Sequence, residues 1–249
     1  MNEVKTLKIS GKTDIGRQRR TNQDSYAAGE LAGSVAWAVV CDGMGGANGG
    51  NIASATAVKT VSERISSTFR QGMGSNSICN LLKSSVAAAN INVFDMSKSV
   101  ESLSGMGTTI VATIISEGIA HIVHAGDSRA YKISPEGVFE QITRDHSIVQ
   151  TLLETGQLSE ENARIHPRKN VITRALGVDE ILDLDYSEVD LEEGEGILIC
   201  TDGLTNFVDK ETVTSVLKEH PLMECPEILV DLANENGGGD NITVVVLQK

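Results

Sequence analysis

Short, β-branched apolar runs and longer amphipathic stretches take turns along this chain. Runs with strand character, bounded by glycine and turn-forming residues, are Lys5–Ile9, Val35–Cys41, Thr108–Ile115, Ile119–His124, Arg129–Ile133, Gly196–Cys200 and Ile242–Leu247. Apolar positions recurring every three or four residues predict helices over Ile52–Phe69, Ile78–Met96, Ser147–Thr155, Lys210–Leu217 and Cys225–Asn234. Several strands adjoin in sequence, which favours antiparallel pairing. The order of strands, two helices, strands, helices and a last strand is an α+β pattern, without the regular alternation of βαβ units.

Composition narrows the picture. With 249 residues, 40% of them hydrophobic, 22% charged and only four prolines, the chain is expected to form one globular domain, residues 1–249, around a sizeable core. The net charge of -13, from 21 basic and 34 acidic residues, argues against a nucleic-acid binder or an anionic membrane surface as partner. Cys41, Cys79, Cys200 and Cys225 lie far apart with no CxxC pair, so no structural zinc site is expected. Neither a signal peptide nor a membrane span is readable, and the expectation is a cytoplasmic protein with reduced thiols.

Two charged stretches differ in character. Residues 179–195 hold nine acidic residues and no Lys or Arg, but Ile181, Leu184, Val189 and Leu191 are interspersed, which suits a half-exposed edge segment without chemistry. Residues 144–174 mix charges, with Asp145, His146, His166, Pro167, Arg168 and Lys169 around a short helix. That stretch is either an ordinary surface loop or a flap beside an active site.

The sharpest signal is a repeated grammar in which an apolar strand ends in Asp followed by a small or turn-forming residue. It recurs at Asp42-Gly43, Asp127-Ser128 and Asp202-Gly203, and Asp240-Asn241 stands just before the last strand. Taken singly, each is a turn signal. Four of them at strand ends, which tend to converge on one edge of a sheet, bring carboxylates together, and these repel unless a positive charge sits between them. Asp oxygens, backbone carbonyls and water suit Mg²⁺ or Mn²⁺, and the absence of His and Cys from these motifs argues against zinc and copper. Cys41 and Cys200 are read as packing residues. Gly43, lacking a Cβ, can bring its carbonyl close to an ion. Near the N-terminus Arg17, Arg19 and Arg20 crowd beside Asp24, and a guanidinium next to an oxygen-ligated metal pair is what a phosphate group needs.

In this order the motifs resemble the metal-dependent serine/threonine phosphatases of the protein phosphatase 2C family, especially its bacterial single-domain members. The resemblance runs through Thr13-Asp14-Ile15-Gly16, Asn22-Gln23-Asp24, Asp42-Gly43-Met44-Gly45-Gly46 and Gly105-Met106-Gly107-Thr108-Thr109. It continues through Gly126-Asp127-Ser128-Arg129, Asp145-His146-Ser147, the run His166 to Gly177, Thr201-Asp202-Gly203-Leu204 and Gly239-Asp240-Asn241. It implies a four-layer α-β-β-α sandwich with two central antiparallel sheets, and a flap over about residues 144–174. It also implies that Asp42 bridges two ions, that the Gly43 carbonyl, Asp202 and Asp240 are ligands, and that Asp24 acts through water. Arg19 falls where the family's phosphate-binding arginine sits, while Asp127, with Asp202, matches a weaker third metal site.

The implied reaction is hydrolysis of phosphoserine and phosphothreonine in proteins by a water that two Mn²⁺ or Mg²⁺ ions activate. The implied partners are phosphoprotein substrates and a serine/threonine kinase that the enzyme opposes. A hydrolase of small phosphoesters and a catalytically silent phosphoprotein-binding relative are the alternatives. Three departures matter. Gln23 stands where many relatives have Glu, and Asn206 replaces an acidic residue. Met44 stands where animal members carry a histidine that donates a proton, which leaves that role to metal-bound water or an unidentified group, with His146 and His166 candidates only because the flap carries them.

Overall fold

The computed structural model describes residues 7–249, apart from the side chains of residues 46–48 and 164. Three strands open the chain, β1 (Lys8–Asp14), β2 (Asp24–Leu31) and β3 (Val35–Met44), and two long helices follow, α1 (Gly46–Thr68) and α2 (Ser75–Ser99). Next come β4 (Gly107–Thr108), β5 (Ile110–Ser116), β6 (Ile119–Ala125), β7 (Arg129–Ile133) and β8 (Phe139–Gln141). Two short helices, α3 (Ile148–Glu154) and α4 (Glu160–Arg164), precede β9 (Asp185–Asp190) and β10 (Gly196–Cys200). The chain ends with α5 (Asp202–Thr205), α6 (Lys210–Glu219), α7 (Cys225–Glu235) and β11 (Ile242–Gln248).

These strands form two antiparallel sheets, one in the order β1-β11-β10-β7-β8 and the other in the order β2-β3-β5-β6-β9, with β4 added beside β3. Period-two alternation assigns the faces. On β3, Val35, Trp37, Val39 and Cys41 pack with α1 and α2, whereas Ala36, Ala38 and Val40 face the other sheet. On β11, Ile242, Val244 and Val246 pack with α6 and α7, whereas Val245 and Leu247 point between the sheets. Strands buried on both faces lose the polar positions of a one-sided strand, which is why the central strands read as unbroken apolar runs. The result is the expected four-layer α-β-β-α sandwich.

Differences from the sequence reading fall at edges. Of the first predicted strand, Lys5 and Thr6 lie outside the described residues, and the observed strand runs on to Asp14. The β2 segment DSYAAGEL carries almost no β-branched residue and was not read as a strand; it forms an edge through pairing with the apolar β3. β9 lies within the acidic stretch and is the opposite edge of the same sheet. Its charges suit an exposed edge, since they discourage pairing with another chain.

Candidate active site

The site forms where the two sheets bring their strand ends together. Asp42 lies near the end of β3 as the register partner of Asp24, the first residue of β2. Asp127 sits in the β6–β7 turn, Asp202 opens α5 directly after β10, and Asp240 precedes β11. A cleft of about 480 Å³ is lined by Asp42, Asp127, Asp202 and Asp240 together with Arg19, Arg20, Gln23, Gly43, Met44, Asn170 and Ile172. Asp24 is set deeper, only 6% exposed. Every carboxylate singled out from the sequence is thus in or just behind one cleft, and Arg19 is at its rim with Nη2 2.7 Å from Oδ2 of Asp240. Arg20 also lines the cleft, while Arg17 does not.

Backbone contacts hold the central aspartate. The Asp42 N–H donates to Thr109 Oγ1 at 2.9 Å, and its carbonyl accepts from Thr109 N at 2.8 Å and Thr108 Oγ1 at 2.9 Å. Gly43 admits no side chain, because a Cβ would lie 2.0 Å from the Gly50 carbonyl oxygen at the start of α1. The Asp127 turn depends on Gly126 at φ 110, where a Cβ would lie 2.6 Å from Thr109 Cγ2. Thr108 and Thr109 belong to the fourth motif, yet nothing in the sequence told them apart as supports of Asp42.

Charge at this site is unbalanced. Burial raises the Asp42 carboxyl well above the usual range, and Asp24, Asp202, Asp127 and Asp240 push it further. Burial lifts the Asp24 carboxyl to about 7, against hydrogen bonds from Thr243 and Thr201 that lower it, and lifts Asp127 to about 7 and Asp202 to about 6. Two buried oxygens, Oδ1 of Asp24 and Oδ1 of Asp202, have no hydrogen-bond partner among the described residues. Oxygen-only donors, mutual repulsion and unsatisfied buried lone pairs are the chemistry that a hard divalent cation completes. Asn206, at the position noted as a departure, donates Nδ2–H to Oδ2 of Asp202 at 3.0 Å and so satisfies that ligand candidate's other oxygen.

The histidines lie elsewhere. His146 is 2% exposed, and neither it nor His166 lines the cleft. Gly126 N–H donates to His146 Nδ1 at 3.1 Å, and His146 Nε2 lies 3.3 Å from Oδ2 of Asp185 and 3.2 Å from Nη1 of Arg174. His124, His146 and Asp185 offer atoms within 4.8 Å of one another, a spacing open to a metal. Arg174 Nη1, however, already binds Asp185 Oδ1 at 2.8 Å and stands against His146 Nε2, so a guanidinium occupies the middle of the group and the cluster is an ion-paired anchor for the segment's root.

Fold and cleft together define a class of protein, a two-sheet sandwich whose strand ends meet in an acidic cleft with oxygen donors suited to divalent cations and an arginine at its mouth. Comparison with known proteins narrows it. A family model described as protein phosphatase 2C matches residues 11–228. A serine/threonine phosphatase, stp, of Listeria monocytogenes is 37% identical over 96% of this chain and 94% of its own length. The structure of the S. agalactiae serine/threonine phosphatase superposes with a TM-score of 0.90 at 35% identity, covering 97% of this chain and 99% of that one. The catalytic domain of the phosphatase PstP, whose structure is a complex with two manganese ions, matches with a TM-score of 0.85 at 31% identity over 97% of both chains. The chain belongs to the protein phosphatase 2C family, a family of metal-dependent enzymes, and resembles its bacterial members from end to end.

Proposed function

We propose that the chain hydrolyses phosphoserine and phosphothreonine in proteins with the help of two Mn²⁺ or Mg²⁺ ions and a weaker third, and that it opposes a serine/threonine kinase. The observation that carries this reading is the convergence of four strand-end aspartates on one cleft with an arginine at its rim. In this reading Asp42, the Gly43 carbonyl, Asp202 and Asp240 would hold the two ions, Asp24 would act on them through water, and Asp127, with Asp202, would hold the third. When bound, the ions lower the pKa of a water and polarise the phosphoryl oxygens.

The chain's own residues position the reactants. Arg19 holds two phosphoryl oxygens with its planar fork, which orients phosphorus for in-line attack and stabilises charge on the equatorial oxygens. Thr108 and Thr109 keep Asp42 in place through its backbone. Met44 cannot donate a proton, and among the described residues no histidine lines the cleft, so in this reading the departing serine or threonine oxygen takes its proton from water. Residues 144–174 act as a flap on a single catalytic domain; Asn170 and Ile172 line the cleft, and Lys169 Nζ reaches Asn206 Oδ1 at 3.5 Å.

A cytoplasmic setting is consistent with four unpaired cysteines, and among the described residues no helix is long and apolar enough to cross a membrane. The deciding experiment compares turnover of a phosphothreonine peptide, a kinase-phosphorylated protein and small phosphoesters, each with Mn²⁺ and with chelator. Metal-dependent turnover with higher kcat/KM on the phosphorylated polypeptides is expected. The reverse order of substrates would favour the small-phosphoester reading.

A further inference from the structure

The two oxygens of the Asp24 carboxylate are treated differently. Oδ2 accepts hydroxyls from Thr201 at 2.8 Å and Thr243 at 2.7 Å, while Oδ1 is buried with no partner among the described residues. A hydroxyl has one proton to donate, so these two bonds set the direction of every bond behind them. With its proton on Asp24, Thr243 can only accept from Thr13, its register partner on β1, whose Oγ1 lies 2.8 Å away. Thr13 in turn accepts from Asn22 Nδ2 at 2.9 Å. Thr201 accepts the backbone N–H of Thr243 at 3.0 Å.

Two donor chains therefore end on the same oxygen, and bonds aligned head to tail strengthen one another. Thr13, Asn22, Thr201 and Thr243 do not line the cleft. They come from β1, from the residues before β2, from the end of β10 and from β11, so the relay ties four chain segments to one carboxylate. A carboxylate needed only to join strand ends would spread its donors over both oxygens. This one is held by one oxygen, and the other is kept bare in a buried place.

We infer that Thr243 and Thr201, backed by Thr13 and Asn22, are positioning residues that grip Asp24 by Oδ2 and reserve Oδ1 for the divalent-ion site. The inference rests on the two-metal reading above.

Calorimetric titration of the purified protein with Mn²⁺ tests it without any turnover. Thr243→Val keeps the shape and removes the donor, and a hydrogen bond to a charged group is worth enough that its Mn²⁺ affinity should fall roughly tenfold or more. Thr243→Ser restores the hydroxyl and should bind within about twofold of the parent. Thr13→Val removes only the second link and should lose affinity in the same direction by a smaller factor. A folded Thr243→Val protein that binds Mn²⁺ like the parent overturns the inference, as does a Thr243→Ser protein as weak as the valine variant. Should Thr243→Val not fold, unchanged affinity in Thr13→Val overturns it. A parent protein that takes up no Mn²⁺ would instead remove the two-metal reading on which the inference stands.

Discussion

Arg19 donates from Nη2 to Oδ2 of Asp240 at 2.7 Å, joining two residues 221 positions apart at the mouth of the cleft. The two side chains are 49% and 22% exposed, so the pair contributes little to stability, and its importance lies in where it holds the guanidinium. Arg19→Ala should lower kcat/KM for a phosphopeptide by ~1.5 to 3 kcal/mol, roughly ten- to a hundredfold, with the melting temperature nearly unchanged. Arg17→Ala should stay within about twofold, since Arg17 is outside the cleft. Arg20→Ala should fall between them. Steady-state kinetics on the three variants check the order, and an Arg17 effect equal to that of Arg19 would show that the wrong arginine has been chosen.

In the two-metal reading Asp42 and Asp202 both hold ions. Asp42→Ala and Asp202→Ala should each leave less than a tenth of the parent turnover at saturating Mn²⁺ while keeping the far-ultraviolet circular dichroism of the folded chain. Ions that bind only the folded state stabilise it by about 2.7 kcal/mol per site at a hundredfold excess over the dissociation constant. Asp127→Ala should keep most of the Mn²⁺-induced rise in melting temperature, and Asp42→Ala should lose most of it. Equal metal responses in parent and Asp42→Ala would return the Asp-Gly motifs to the status of turns.

Stability should also respond to pH in a defined direction. The Asp24 and Asp202 carboxyls, normally near 3.8, are lifted by burial to about 7 and about 6, so across that window the folded chain binds more protons than the unfolded one. Their contribution is present at low pH and is lost as pH rises through about 4 to 7. Mn²⁺ competes with those protons. The rise in melting temperature on adding Mn²⁺ should therefore be small at pH 5 and grow toward pH 8, each kcal/mol reading as about 2 to 4 °C. Burial lowers His121, His124 and His146, whose contributions run the opposite way and are lost as pH falls below 6.5. Comparing scans with and without Mn²⁺ at each pH cancels that histidine term, and a difference that does not change with pH would count against the carboxylates as the binding groups.

At the root of residues 144–174, Arg129 grips Asp145 through Nε at 2.9 and 3.0 Å and through Nη2 at 2.6 Å. Asp145 is only 8% exposed and would keep just the Gln141 Nε2–H at 3.0 Å, so Arg129→Met would leave its charge without an ion partner and should destabilise the chain by about 2 to 4 kcal/mol in urea unfolding. Adding Asp145→Asn should recover much of that loss. A cost below about 1 kcal/mol for Arg129→Met would mean that the pair is solvated in solution.

Much of the fold was legible because burial on two faces leaves an unmistakable trace. β3, β5, β6, β10 and β11 stand out as apolar runs, and the glycine after each of two strand-end aspartates marks where chain and site meet. Two of the edges were not legible. β2 and β9 become strands by borrowing pairing from β3 and β6, and their own residues carry no alternation strong enough to announce it.

Chemistry divides along the same line. A strand-end Asp can be read alone, since its type and its neighbours already suggest a ligand. Thr201 and Thr243 cannot, because a threonine at the end of one strand and another inside the last look like ordinary β residues until Asp24, 177 and 219 positions away, is laid against them. His146 shows the converse, for its place in the 144–174 stretch made it a candidate proton donor and packing turned it inward to hold Gly126. The sequence by itself determined which residues face a core and which chain ends carry carboxylates, because those properties depend on local period and residue type. Only the tertiary structure decided which strand ends meet and which oxygen of a carboxylate stays bare, because that follows from how two sheets pack face to face.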